Sequence, residues 1–201
     1  MYSVLTSKSK MACFISIIFV FAVFGNVIAL TEVEQACINT YSEPLDNDFL
    51  IGTWYDVYKF AIILNLIPSS SCVKTVITKA PPSDVQRYVD AYKLENPYSF
   101  NDNPILLDRH NGQFKSMIMG HNQAKFLVYD PETTYFLEDR YEARVYMKVN
   151  DDYMLFHQCS LRGHQKWLLS RKNSTTIEEL DAVLKSIQSE VRNLETQRYC
   201  A

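Results

Sequence analysis

From Thr31 onward the chain is written in short runs that mix apolar and polar residues, separated by turn signals. Thr53–Phe60 reads T-W-Y-D-V-Y-K-F, and Cys72–Lys79 reads C-V-K-T-V-I-T-K before Pro81-Pro82 stops it. β-branched and aromatic residues at this density predict strands. Val85–Leu94 follows directly, so the pattern predicts a hairpin between these two runs. Gly112–Met119, Ala124–Tyr129, Ala143–Val149, Tyr153–Ser160 and Gln165–Arg171 are further strand-like runs. Gly120-His121-Asn122, Asp130-Pro131, Asn150-Asp151-Asp152 and Arg162-Gly163 punctuate them as turns. Asn96–Asn111, rich in Asn, Asp and Pro, reads as a loop. Eight short strands at hairpin spacing predict a sandwich or an up-and-down barrel. The chain shows no internal repeat, which argues against propellers and solenoids.

The period changes at Ser174. Ile177, Leu180, Val183, Leu184, Ile187, Val191 and Leu194 recur at spacings of three and four, with acids and Lys185 between them. This predicts one amphipathic helix, its apolar stripe laid on the sheet. Thr175 with Glu178, or Thr176 with Glu179, would cap it.

The first residues follow another logic. Lys8 and Lys10 precede an uncharged stretch, Met11–Leu30, and Val27 and Ala29 are the small residues a signal peptidase requires. We expect residues 1–29 to be a cleaved signal peptide and residues 30–201 to form a single domain. The stretch is nearly long enough to span a bilayer, so an uncleaved anchor is the alternative. Cleavage leaves 18 basic against 23 acidic residues, a net charge of −5. That balance provides no field for nucleic acid. Once Cys13 is removed, Cys37, Cys72, Cys159 and Cys200 remain, an even number suited to two disulfides outside the cell. Asn173-Ser174-Thr175 is a glycosylation sequon, and Asn173 is its acceptor. The chain has no nucleophile–base motif, and His110, His121, His157 and His164 lack zinc spacing. An enzyme and a metal site are therefore not expected.

Gly52-Thr53-Trp54 opens the first strand, and Arg171 ends the eighth, just before the helix. This order resembles the lipocalins, and within them the insect bilin-binding and apolipoprotein D branch. The resemblance implies an all-β fold, an eight-stranded antiparallel up-and-down barrel with one C-terminal α-helix packed on it. It implies structural roles for Gly52, Trp54 and Arg171, with the guanidinium stacked on the indole. It also implies disulfides Cys37–Cys159 and Cys72–Cys200, each worth up to about 4–5 kcal/mol in the chain-entropy model.

An eight-stranded barrel has room for side chains or for one small ligand. Strand alternation gives two parities, and pattern alone leaves open which faces inward. The resemblance turns Met154, Phe156 and Gln158 inward, and an inward Trp54 carries Asp56 and Tyr58 with it. Tyr88 and Tyr92 on the expected third strand, with Tyr129 and Tyr146, complete the candidate lining. Phe60–Pro68 is apolar where a loop is expected. Ile62, Ile63, Leu64, Leu66 and Ile67 would form a lid over the mouth, or a patch for a membrane or lipoprotein, or a continuation of the strand into the core.

The function implied is a secreted, extracellular carrier of one small hydrophobic molecule: a bilin, a carotenoid or retinoid, a sterol or a fatty acid. It would need no cofactor beyond that ligand and would be a monomer or a small homo-oligomer. The alternative is a protein-interaction lipocalin with a filled barrel, acting through its mouth loops Phe60–Ser71 and Asn96–Asn111.

Overall fold

The computed structural model describes residues 30–62, 72–92, 103–109, 114–132, 141–161 and 164–199. In chain order these form α1 (Glu32–Thr40), α2 (Asn47–Leu50), β1 (Gly52–Ala61), β2 (Lys74–Lys79), α3 (Pro82–Tyr92) and β3 (Ile105–Arg109). There follow β4 (Phe114–Met119), β5 (Ala124–Tyr129), β6 (Tyr141–Lys148), β7 (Tyr153–Gln158), β8 (Gln165–Ser170), α4 (Ile177–Ser186) and β9 (Glu195–Arg198).

Strands β2 to β8 pair antiparallel in sequence order, and β1 closes the circle by pairing with both β8 and β2. This is the eight-stranded up-and-down barrel that the resemblance to lipocalins implies, and the sandwich is excluded. β1 serves two neighbours along one edge. Gly52–Tyr55 pair with β2, and Tyr58–Ala61 pair with β9, which takes over where β2 ends.

The count of eight is right, but one member differs. Val85–Leu94 is not a strand. Its residues lie mostly in α3, which starts at Pro82, with Asp84 and Val85 donating backbone bonds to the Pro81 carbonyl. Proline fits a first helical position, because its missing N–H would have no partner there. Gln86 and Asp90 then bond one turn apart at 2.7 Å. The third strand is instead Ile105–Arg109, inside the stretch expected to be loop. It is only five residues long, and the polar residues around it mask its Ile-Leu-Leu core.

Helices cover the outside. α4 lays Leu180 and Val183, with Ile187 just beyond it, on Val57, Phe60, Leu155 and Leu168 of β1, β7 and β8. It ends at Ser186 rather than running to Leu194, although Val191 and Leu194 still pack on the same cluster. Its cap is Thr176, whose hydroxyl accepts from the Glu179 amide at 3.2 Å. α3 packs Tyr88 and Tyr92 on Met117, Met119, Phe126 and Val128. Arg87 holds Asp130 through two hydrogen bonds, 3.1 and 2.9 Å, and the Tyr92 hydroxyl donates to the Tyr129 carbonyl at 2.6 Å.

The sequence reading missed α1. Its signal is the capping box of Thr31 and Glu34, which follows directly on the apolar stretch Met11–Leu30 of the sequence. The buried Glu34 carboxylate also accepts from the Ala143 amide of β6 at 3.2 Å. The disulfide Cys37–Cys159, with Cα atoms 5.7 Å apart, fixes the same helix to the turn after β7. Cys72 is disulfide-bonded as well, and Cys200, its expected partner, lies outside the described residues. Glu34→Ala is expected to lower unfolding free energy by about 1–3 kcal/mol, because it orphans a buried strand amide and the helix cap. Thermal denaturation would read this directly.

Candidate functional site

α2 plugs one end of the barrel. Leu45, Leu50, Trp54, Ile77, Ile105, Ile118, Leu127, Met154 and Leu169 form one buried core there. The Trp54 side chain is wholly buried, and its Nε1 donates to the Leu50 carbonyl at 2.7 Å. Arg171 lies over the indole, 3.9 Å from guanidinium carbon to ring centroid, and Nη1 donates to the Ile51 carbonyl at 2.7 Å. Gly52 has φ +126°, and a Cβ there would sit 2.3 Å from Arg171 Nη1. Only glycine fits that approach. A closed eight-stranded meander whose floor is sealed by a Trp–Arg pair decides the architecture. The fold is that of the lipocalins.

No family model and no curated protein matches the chain. Among solved structures it is similar to a major allergen, Per a 4, from cockroaches (10% identity, TM-score 0.48, 79% of this chain and 92% of that one). It is similar to insecticyanin from the tobacco hornworm Manduca sexta (9% identity, TM-score 0.47, 79% and 82%). A third likeness is to the amine binding protein of Rhodnius prolixus, in its tryptamine complex (13% identity, TM-score 0.45, 77% and 82%).

Above the lipocalin floor the interior turns polar. The register of paired strands places Asp56, Thr75, Arg109, Ser116, Tyr129, Glu142, Arg144, Tyr146, Phe156, Gln158 and Trp167 on the inward parity. Tyr146, Phe156 and Trp167 form a ladder of stacked rings, with centroids 5.9 and then 4.8 Å apart. The guanidinium groups of Arg109 and Arg144 both lie 5.8 Å from the Phe156 ring. Arg109 pairs with Asp56, and Arg144 pairs with Glu142. The Glu142 carboxylate also accepts from the Tyr129 hydroxyl and from Gln158 Nε2, both at 2.9 Å.

These groups are not fully served by one another. Thr75 Oγ1 and Arg109 Nε are buried with no hydrogen-bond partner among the described residues. They belong to direct cross-strand neighbours, Thr75 of β2 and Arg109 of β3. The wholly buried Tyr146 hydroxyl faces Arg144 without a hydrogen bond of good geometry. Burial raises the Asp56 carboxyl to about 6, against the pull of Arg109 and Arg144. Burial therefore makes Asp56 easier to protonate than an exposed aspartate, although it sits beside Arg109.

Of the expected lining residues, the structure brings Asp56, Tyr129, Tyr146, Met154, Phe156 and Gln158 to the interior. It sends three elsewhere. Tyr88 and Tyr92 are on α3, outside the barrel wall. Tyr58 packs outward beside Val57 and Phe60 under α4, because the β1–β8 register shifts between Asp56 and Tyr58 and reverses the parity beyond it. Lys59 takes the inward place, 5.8 Å from the Trp167 ring. Within Phe60–Pro68, Phe60 and Ala61 belong to β1, and Ile62 is 49% exposed. Ile63, Leu64, Leu66 and Ile67 lie outside the described residues. The described part of Asn96–Asn111 is not a mouth loop. Asn103 accepts from Asn47 of α2 at the closed end, and Ile105–Arg109 climbs from there as β3. Asn173 is exposed after β8.

The sequence pattern did not place Thr75, Arg109, Glu142, Arg144 or Trp167 in the lining. Glu142 and Arg144 share the parity of Tyr146, so alternation could have found them. Arg109 could not be found while its strand was read as loop.

Proposed function

We propose that this protein is a secreted carrier that holds one small amphiphilic molecule in the upper barrel, polar end down and apolar body toward the mouth. The observation that carries this reading is the pair of buried, unpartnered polar atoms, Thr75 Oγ1 and Arg109 Nε, on cross-strand neighbours beside Trp54 and Phe156. Leaving such groups unpaired costs about 1–3 kcal/mol each. A ligand oxygen bonded to them would recover that cost, and the flat rings of Phe156 and Trp167 would receive a conjugated body. The ligand classes that suit this site carry an acid or carbonyl group on an apolar frame. Bilins, fatty acids, retinal and retinoic acid have one, and retinol or a sterol offers only a hydroxyl.

Native mass spectrometry with an absorbance spectrum, on protein from its natural source, tests the reading. A stoichiometric adduct, coloured or not, is the expected result. In vitro, biliverdin, retinoic acid and a fluorescent fatty acid serve as probes. Thr75→Val should weaken the bound probe about five- to tenfold, the size of one buried hydrogen bond, with little change in stability. An apo mass together with no uptake of any probe would reject the carrier. The filled-barrel interaction protein would then stand, favoured by the solid apolar floor and the internal ion pairs.

A further inference from the structure

The carrier reading leaves unused a groove of about 520 Å³ on the outer wall of the barrel. Val33, Ala36 and Thr40 of α1 form one side of it, with the Cys37–Cys159 disulfide. At its base are His157 of β7 and Lys166 of β8, direct cross-strand partners that stand on the same outward face.

The base is chemically unusual for a barrel exterior. His157 is only 2% exposed, and its Nδ1 is buried with no hydrogen-bond partner among the described residues. Burial and the adjacent Lys166 hold the imidazole down to about 4, so it is neutral at physiological pH. The Lys166 side chain is 8% exposed, and its ammonium donates to Glu190 at 2.9 Å. An ammonium has three protons to give, so it can serve a further acceptor. Tyr41 stands edge-on to the imidazole, with ring centroids 5.2 Å apart.

Charge narrows the ligand. An amine would meet the Lys166 ammonium. A carboxylate would meet Glu190 and Glu32, and it can pair with the imidazole nitrogen in only one of the two tautomers. A hydroxyl both donates and accepts. It can pair with the imidazole nitrogen in either tautomer and also accept from Lys166. A ring carrying that hydroxyl would lie against Tyr41 and the apolar side of α1. We propose that this groove is a second binding site, outside the barrel, for a small neutral aromatic alcohol or phenol. The site does not depend on whether the barrel carries a ligand.

Titration of the full mature chain with 2-naphthol, naphthalene and 2-naphthoate, followed by fluorescence, tests this. Saturable binding of 2-naphthol at one site is expected, about tenfold tighter than naphthalene or 2-naphthoate, since one buried hydrogen-bonding group sets the preference. His157→Phe should erase that preference. Because His157 is buried and its variant could fold poorly, Ala36→Trp provides a second arm. Ala36 is exposed on α1, and an indole there fills the groove without touching the base, so it should abolish binding. Thr75→Val, inside the barrel, should leave 2-naphthol binding unchanged. Absence of saturable binding, binding that survives Ala36→Trp, or binding lost in Thr75→Val would each overturn the proposal.

Discussion

Replacing Trp54 with alanine is expected to lower unfolding free energy by about 3–5 kcal/mol, the range for deleting a large ring from a closed core. Three losses coincide. The ring leaves a cavity among Leu50, Ile77, Met154 and Leu169. The Leu50 carbonyl loses its 2.7 Å donor. Arg171 loses the ring it covers at 3.9 Å, and with it a contact of about 0.5–2 kcal/mol. Trp54→Phe keeps part of the ring and should cost less. Arg171→Met keeps the ring but leaves the Ile51 carbonyl without its donor, so it should fall between the two. Gly52→Ala should resemble Arg171→Met, because its methyl group occupies the guanidinium's place. Urea denaturation of the four variants gives the order. Equal losses for Trp54→Ala and a surface alanine control would show that the floor is not a keystone. Arg171→Met and Gly52→Ala leave Trp54, Thr75 and Arg109, successive cross-strand neighbours, in place, so ligand affinity per folded molecule should hold in those two variants.

That floor is the part of the molecule most legible in the sequence. Gly52, Trp54 and Arg171 stand at strand ends, where only close backbone approach and ring–cation packing explain them. The meander was legible too, since alternation and turn residues repeat along most of it. The reading fails where two periods coincide. Tyr88 and Tyr92 are four apart, a spacing that puts residues on one face of a strand or of a helix alike. The Pro81-Pro82 pair reads as a strand stop and equally as a helix start. Once α3 was read as a strand, the true third strand was hidden, and Arg109 with it. Tyr58 was lost for another reason. A register shift between Asp56 and Tyr58 leaves no mark in the local pattern, yet it reverses every position beyond it. Asp56 was legible from its parity with Trp54, but Glu142 and Arg144 were missed, because charged residues are expected at the surface. Glu142, Arg144 and Arg109 are inside because each finds a counter-ion or a ring there.

Those interior charges make the second large prediction, Arg109→Met. Methionine keeps an apolar stem but removes the guanidinium, which lies over Phe156 and next to Asp56. Breaking one partner from a buried pair typically costs about 3–5 kcal/mol, because the other charge is left buried. The cost should depend on pH, and its sign can be worked out. In the native protein Asp56 keeps its proton up to about 6, whereas an unfolded aspartate loses it near 3.8. Between those values the native state holds more protons than the unfolded one, so stability from this group falls as pH rises, by at most about 1.4 kcal/mol per pH unit. Without Arg109 the carboxyl moves higher still, and the falling window extends toward neutral pH. The variant should therefore show its full deficit at pH 8 and recover most of it by pH 4, where Asp56 is protonated in either protein. Asp56→Asn combined with Arg109→Met should be flatter in pH and more stable at pH 8 than Arg109→Met alone. Urea denaturation of wild type, single and double variants at both pH values measures this. Subtracting wild type removes the titration of every carboxylate the substitutions leave alone. A deficit of equal size at pH 4 and pH 8 would mean that Arg109 acts by packing on Phe156 and not by charge. The same protonation step would also discharge one acid in the barrel interior. A carrier built this way would shift its preference among acid and neutral ligands between pH 5 and 7, which retinoic acid and retinol can report as a pair.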